Sequence, residues 1–196
     1  MTKLLHLKHW QLFLLLFGIP FFFEIIVSLF AIFTPERSII FVVFPILMLL
    51  FVGLYFSWLY TLGVQLHKKL PLSVSMNLTR FKLFLIIPII YLFTFMVFMS
   101  FTMRDPENME VPGTGIIGLI IPLHLFSVFC IIYSLFFIAK ELKSVEWQRP
   151  VTFNDFAGEF FLIWFYPIGV WFIQPRVNKL FDESLEADNT LFHQPL

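Results

Sequence analysis

Cysteine is nearly absent from this chain: Cys130 stands alone among 196 residues. One thiol excludes a disulfide framework and a cysteine-based metal site. Charge is also scarce. Lys, Arg, Asp and Glu together make up 13% of the sequence, against about a quarter in an ordinary soluble domain. The 13 basic and 13 acidic residues cancel, so there is no basic surplus to hold a nucleic acid, and no nucleic-acid partner is expected. Long polar stretches are missing too, which leaves no room for a separate soluble domain.

What the chain has in quantity is apolar length. Hydrophobic residues account for 59% of it, above the 45–50% or so of soluble proteins. They gather into four runs, residues 11–33, 39–64, 83–103 and 114–139. Each is long enough for a helix to cross a bilayer, which takes roughly 20 residues. The expected fold class is all-α: an integral membrane bundle of four transmembrane helices. Lys3 and Lys8 before the first run imitate a secretory signal. That run exceeds the usual 7–15 or so residues of a signal core, contains Glu24 and has no small-residue cleavage site. It reads as a retained first helix.

Basic residues are segregated along the chain. Lys3, Lys8, Lys68, Lys69, Arg80, Lys82, Lys140, Lys143 and Arg149 fall on one side of the expected spans, and only Arg37 and Arg104 on the other. Short loops rich in Lys and Arg stay cytoplasmic, which predicts a cytoplasmic N-terminus and outer loops at 34–38 and 104–113. Trp10, Trp58, Tyr60 and Tyr133 read as aromatic anchors near cytoplasmic ends. The second outer loop carries Asp105, Glu107 and Glu110 between turn residues. It reads as a solvated acidic loop, because a hard cation needs more oxygen ligands in a defined geometry.

The segment after the fourth run is different in kind. Thr152 and Asp155 have capping-box spacing, and a helix from about Phe153 should break near Pro167–Gly169. A second short helix follows, towards Phe181 and disturbed at Pro175. The apolar stretch 160–173 is short for a span, its Trp164, Tyr166 and Trp171 are interfacial residue types, and Arg176 and Lys179 follow. The expectation is an interfacial or re-entrant helical segment on the cytoplasmic side. The alternative is a fifth span over 156–173, drawing on the likeness of 10–20, 78–88 and 157–167 around a proline. The division expected is 1–151 transmembrane, 152–181 interfacial, and 182–196 a flexible acidic tail.

Within this segment, the run FFLIWFYPIGVWFIQPRVNK over 160–179 resembles the C-terminal signature of an uncharacterised family of small bacterial multi-span inner-membrane proteins. The likeness covers about 140–181, the first four helices matching in layout alone. It implies a bacterial inner-membrane location, multi-pass, and no particular activity.

Few residues invite chemistry. Glu24 lies about nine residues inside the first helix, and His124 ten residues inside the fourth. At ~1.5 Å per residue both sit at similar depth, with Thr94 of the third helix near the same level. A carboxylate there costs at least ~2.5–3.5 kcal/mol unless it faces protein or water. A Glu24–His124 contact would lower the cost for both, as a static hydrogen bond or as a protonatable pair. Gly113, Gly115 and Gly118 match G-x-G-x-x-G in letters only, since no strand precedes them, and they read as small residues for close helix packing. His6 and His9 have no third ligand. Ser127 near His124 has no nucleophile elbow. No catalytic residue, metal site or cofactor is expected, and the reading leans against an enzyme. Trp164, Tyr166, Trp171, Arg176 and Lys179 are the candidate surface for lipid or partner. The partners expected are the bilayer and a membrane protein or second copy. The chain reads as a non-enzymatic accessory or interaction protein, with a small transporter or channel built on Glu24 and His124 as the alternative.

Overall fold

A computed structural model describes residues 2–33, 38–102 and 114–192. The acidic loop at 104–113 and most of the loop at 34–38 lie outside the described residues, as do 193–196. The described chain is helical, with no strand among those residues. A 3-10 turn at Thr2–Leu5 leads into α1 (His9–Phe13), a π-helical turn at Leu14–Gly18, and α2 (Ile19–Phe33). Then come α3 (Ser38–His67), α4 (Leu78–Thr102), α5 (Thr114–Trp147), α6 (Phe153–Trp164) and α7 (Tyr166–Phe192).

Four stretches are long and apolar enough to cross a membrane: His9–Phe30, Pro45–His67, Leu78–Met99 and Gly118–Trp147. This is a membrane protein. The π turn has an identifiable cause. It contains Leu16, the residue whose carbonyl the Pro20 ring would press on in a regular helix. Widening the ladder by one residue relieves that clash. Helices α3, α4 and α5 instead run straight on through Pro45, Pro88 and Pro122.

The chain divides into two compact units. One comprises Met1–Leu14, Trp58–Leu78 and Leu135–Leu196, and the other Leu15–Ser57 and Thr79–Ser134. The second unit consists of helix segments whose outward apolar side chains, such as Phe22, Phe30, Leu50, Ile90 and Leu125, suit lipid. Aromatic contacts join its helices, with Phe84 meeting Phe129 and Tyr133 edge-on. Gly118 does not mark a close approach, because a methyl group there would meet nothing within 4 Å.

The first unit holds the C-terminal helices. Thr152 starts α6, its backbone N–H donating to Asp155 Oδ2 at 2.8 Å, as the capping-box spacing predicts. The 12 residues of α6 span roughly 18 Å, too short for a bilayer core of about 30 Å. The break falls at Phe165, where φ and ψ are −89° and 57°, rather than at Pro167–Gly169. A helix continued past Phe165 would put the Pro167 ring against the carbonyl of Ile163. Starting a new helix at Tyr166 places the proline in a first turn, where its missing N–H costs nothing. Gly169 has another task. A Cβ there would lie 1.6 Å from the backbone oxygen of Leu162, so glycine is what lets α7 cross α6 in backbone contact. Helix α7 then continues through Pro175 to Phe192, entering the region read from sequence as tail.

Candidate functional site

One group of polar residues in the first unit converges where α5, α6 and α7 meet. Phe156, Phe160 and Ile163 of α6 and Val170, Ile173 and Val177 of α7 are buried. Two acids sit at the edge of this apolar seam. Glu159, one turn ahead of Ile163, is only 6% exposed. Arg176 Nη2 donates to Glu159 Oε1 at 2.7 Å, and Lys143 Nζ reaches the same oxygen at 2.9 Å. Arg176 also binds Glu146 through both Nε, at 2.6 Å, and Nη2. Two bases thus meet two acids, so the cluster is neutral. Burial acts to raise the Glu159 carboxyl, but hydrogen bonds from Arg176 and Lys143 outweigh it and hold the group below the ordinary carboxylate range. Hydrogen bonding to Glu146 pushes the Arg176 guanidinium further up.

A second polar cluster fixes the N-terminal segment. Gln174, fully buried, accepts from the Trp58 indole N–H at 3.3 Å. Its two amide hydrogens are shared among the carbonyls of Leu4, Leu5 and Leu7 and Asn178 Oδ1, at 3.0 to 3.2 Å. Asn178, one turn on, donates to Leu7 O at 3.1 Å. Leu4 and Leu5 end the short 3-10 turn and Leu7 follows it, positions where a helix leaves its carbonyls without an internal donor. Nearby, Lys69 Nζ donates to Leu180 O at 2.6 Å and lies 4.4 Å above the Phe181 ring.

The third cluster is more exacting. His67 Nδ1 pairs with Glu141 Oε1 at 2.7 Å, and the ring stacks on Phe137. Glu141 is wholly buried, and its Oε2 and the Ser144 Oγ have no partner among the described residues.

The residues singled out from sequence are distributed as follows. Trp164 and Trp171 are 43% and 44% exposed, with Trp171 also touching the rings of His9 and Phe13. Tyr166 is half-buried and Lys179 exposed. Arg176 is turned inward and spent on Glu146 and Glu159. Trp58, read as an interfacial anchor, is fully buried against Gln174. His124 is exposed and its Nδ1 lies 3.0 Å from the Tyr91 hydroxyl. Thr94 is exposed and Glu24 half-buried, and the hydrogen bonds of the described residues include none between Glu24 and His124. His6 turns to Asp182 at 3.6 Å. Sequence reasoning passed over Glu159, Gln174 and Asn178. A lone acid in the apolar face of α6 followed by an arginine, and Gln174 and Asn178 at i, i+4, were the available signals.

Around these ties lies an aromatic surface. Phe161, Trp164, Phe165, Ile168, Trp171 and Phe172 are all between 43% and 64% exposed. An outward patch of that kind marks a membrane or protein contact. Comparison of the chain with protein-family profiles, with curated proteins and with solved structures finds no match.

Proposed function

We propose that this chain is a non-enzymatic accessory or interaction protein of the bacterial inner membrane. Its N-terminus and the α6–α7 hairpin are cytoplasmic, and the hairpin is its working surface. One observation carries the reading: an exposed aromatic and aliphatic face, from Phe161 to Phe172, stands on a hairpin held by an internal neutral ion cluster and a buried amide. Such a surface is preorganised, which lowers the ordering cost of binding. The segregated basic residues support the orientation, and the signature at 160–179 supports the compartment. A photoactivatable amino acid at Ile168, irradiated in intact cells, tests it. A discrete protein adduct is expected. Labelling confined to lipid acyl chains would remove the interaction reading while leaving the hairpin at the membrane surface.

A second reading, a small transporter using Glu24 and His124 as a protonatable pair, draws on the Tyr91–His124 hydrogen bond, which gives the imidazole a neighbour able to pass a proton. Proton uptake by reconstituted vesicles that vanishes with Glu24→Gln would establish it, and uptake unchanged by that substitution would remove it.

A further inference from the structure

The connection between α5 and α6 is short and tightly built. Helix α5 ends at Trp147. Gln148 then adopts a left-handed conformation, φ 51°, an uncommon state for a residue other than glycine. Its side chain stabilises the turn by donating to the carbonyl of Val145 at 2.7 Å. Pro150 follows, and by Thr152 the α6 capping residues have begun. This turn carries Arg149 back over the end of α5, so that its guanidinium lies 4.7 Å from the centre of the Trp147 ring. Lys143, one turn earlier, covers the same ring at 4.6 Å.

The two cations differ in what they have left. Lys143 is committed to Glu159. Arg149 is exposed and makes no hydrogen bond among the described residues, so its fork of N–H donors faces outward. The nearby Asp155 carboxylate accepts from the N–H and hydroxyl of Thr152 through Oδ2, and those hydrogen bonds, with the charge of Arg149 a smaller contributor, hold it below its ordinary range. Trp147 ends α5, beyond the apolar run that closes at Ala139, and is 42% exposed. With the hairpin on the membrane surface, this tryptophan faces the headgroup layer, where the residue type is at home, and it brings Arg149 with it.

We propose that Arg149 and Trp147, presented by the Gln148 turn, form a binding site for the headgroup of an anionic phospholipid. The guanidinium fork matches two phosphate oxygens, and the indole face holds the guanidinium in place. A choline headgroup is disfavoured, because the ring that would receive its quaternary ammonium already carries two cations. The inference rests on the hairpin lying at the membrane surface, as proposed above.

The test uses the full chain in nanodiscs of equal parts phosphatidylglycerol and phosphatidylcholine, with retained lipids identified by native mass spectrometry. The wild type should keep phosphatidylglycerol in preference by about fivefold, the effect of one basic residue at an anionic surface. Arg149→Gln should abolish the preference, Trp147→Leu should reduce it about two- to threefold, and Lys68→Gln, an exposed charge elsewhere, should leave it intact. No preference in the wild type, a preference that survives Arg149→Gln, or an equal fall with Lys68→Gln overturns the site. In these same nanodiscs, where no partner protein is present to claim Ile168, acyl labelling from a probe at Ile168 together with such a result would sink the lipid site alone. Absence of acyl labelling there would sink the membrane-surface placement beneath it.

Discussion

Gln174 and Trp58 stand 116 positions apart in the chain, and the indole N–H of one meets the amide oxygen of the other at 3.3 Å in the buried interior. The same amide serves the carbonyls of Leu4, Leu5 and Leu7. A single side chain therefore ties three distant segments.

That arrangement makes Gln174 hard to replace. Gln174→Leu keeps the volume but strands the indole N–H and several carbonyls, each a buried polar group without a partner. A loss of about 2–3 kcal/mol is expected. Gln174→Glu should do no better, because a carboxylate cannot donate to carbonyls. Thermal unfolding of the purified chain in mild detergent reads both. A neutral Gln174→Leu would show that water takes over these bonds.

The two glycines of the hairpin should part company. Gly169→Ala drives a methyl group into the Leu162 carbonyl, and the helices must separate, at a cost of about 1–3 kcal/mol or more. Gly158→Ala in α6 meets nothing within 4 Å and should stabilise by about 0.4–1 kcal/mol through the lost freedom of the unfolded chain. Equal effects from the two substitutions would contradict the crossing geometry.

Acid should loosen the hairpin. The Glu159 carboxyl is held below its ordinary value, so the folded state binds fewer protons than the unfolded one in mild acid. Its contribution is fully present above the unfolded value of about 4.3 and is lost as pH falls through the lower folded value. Near-ultraviolet circular dichroism should stay level from about pH 8 to 5 and decline below about 4. Glu159→Gln should shrink that decline while destabilising the hairpin at neutral pH, since Arg176 and Lys143 lose a charged acceptor.

Ser144 offers a test with the opposite sign. Its buried hydroxyl has no partner among the described residues, so Ser144→Ala should be neutral or stabilising by about 1 kcal/mol. Destabilisation would reveal a water bridging Ser144 to the bare oxygen of Glu141.

Much of the architecture was legible in advance, because membrane spans are written in local composition. The four runs, the start of α6 at Thr152 and a helix–break–helix at the C-terminus all follow from residues close together in sequence. The details that escaped are set by partners far away. The break moved to Phe165 because a proline disturbs the residues before it. Gly169 looked like a helix breaker but serves a backbone contact with Leu162. Arg176 looked like a headgroup ligand until Glu146, 30 positions earlier, and Glu159 claimed it. Trp58 looked interfacial until Gln174 claimed its N–H. Polar residues in an apolar chain announce that they need partners, and only the fold tells which.

The amide clamp also has a consequence for biosynthesis. Leu4 leaves the ribosome 170 residues ahead of Gln174. At about 5–20 residues per second, the carbonyls that Gln174 will cap wait roughly ten to thirty seconds for it. During that interval the N-terminal segment is solvated or held by the insertion machinery, while the spans enter the bilayer one after another. Closure of the first unit thus waits for α7 to emerge, and a ribosome stalled before Gln174 leaves inserted spans whose N-terminal segment has nothing to grip.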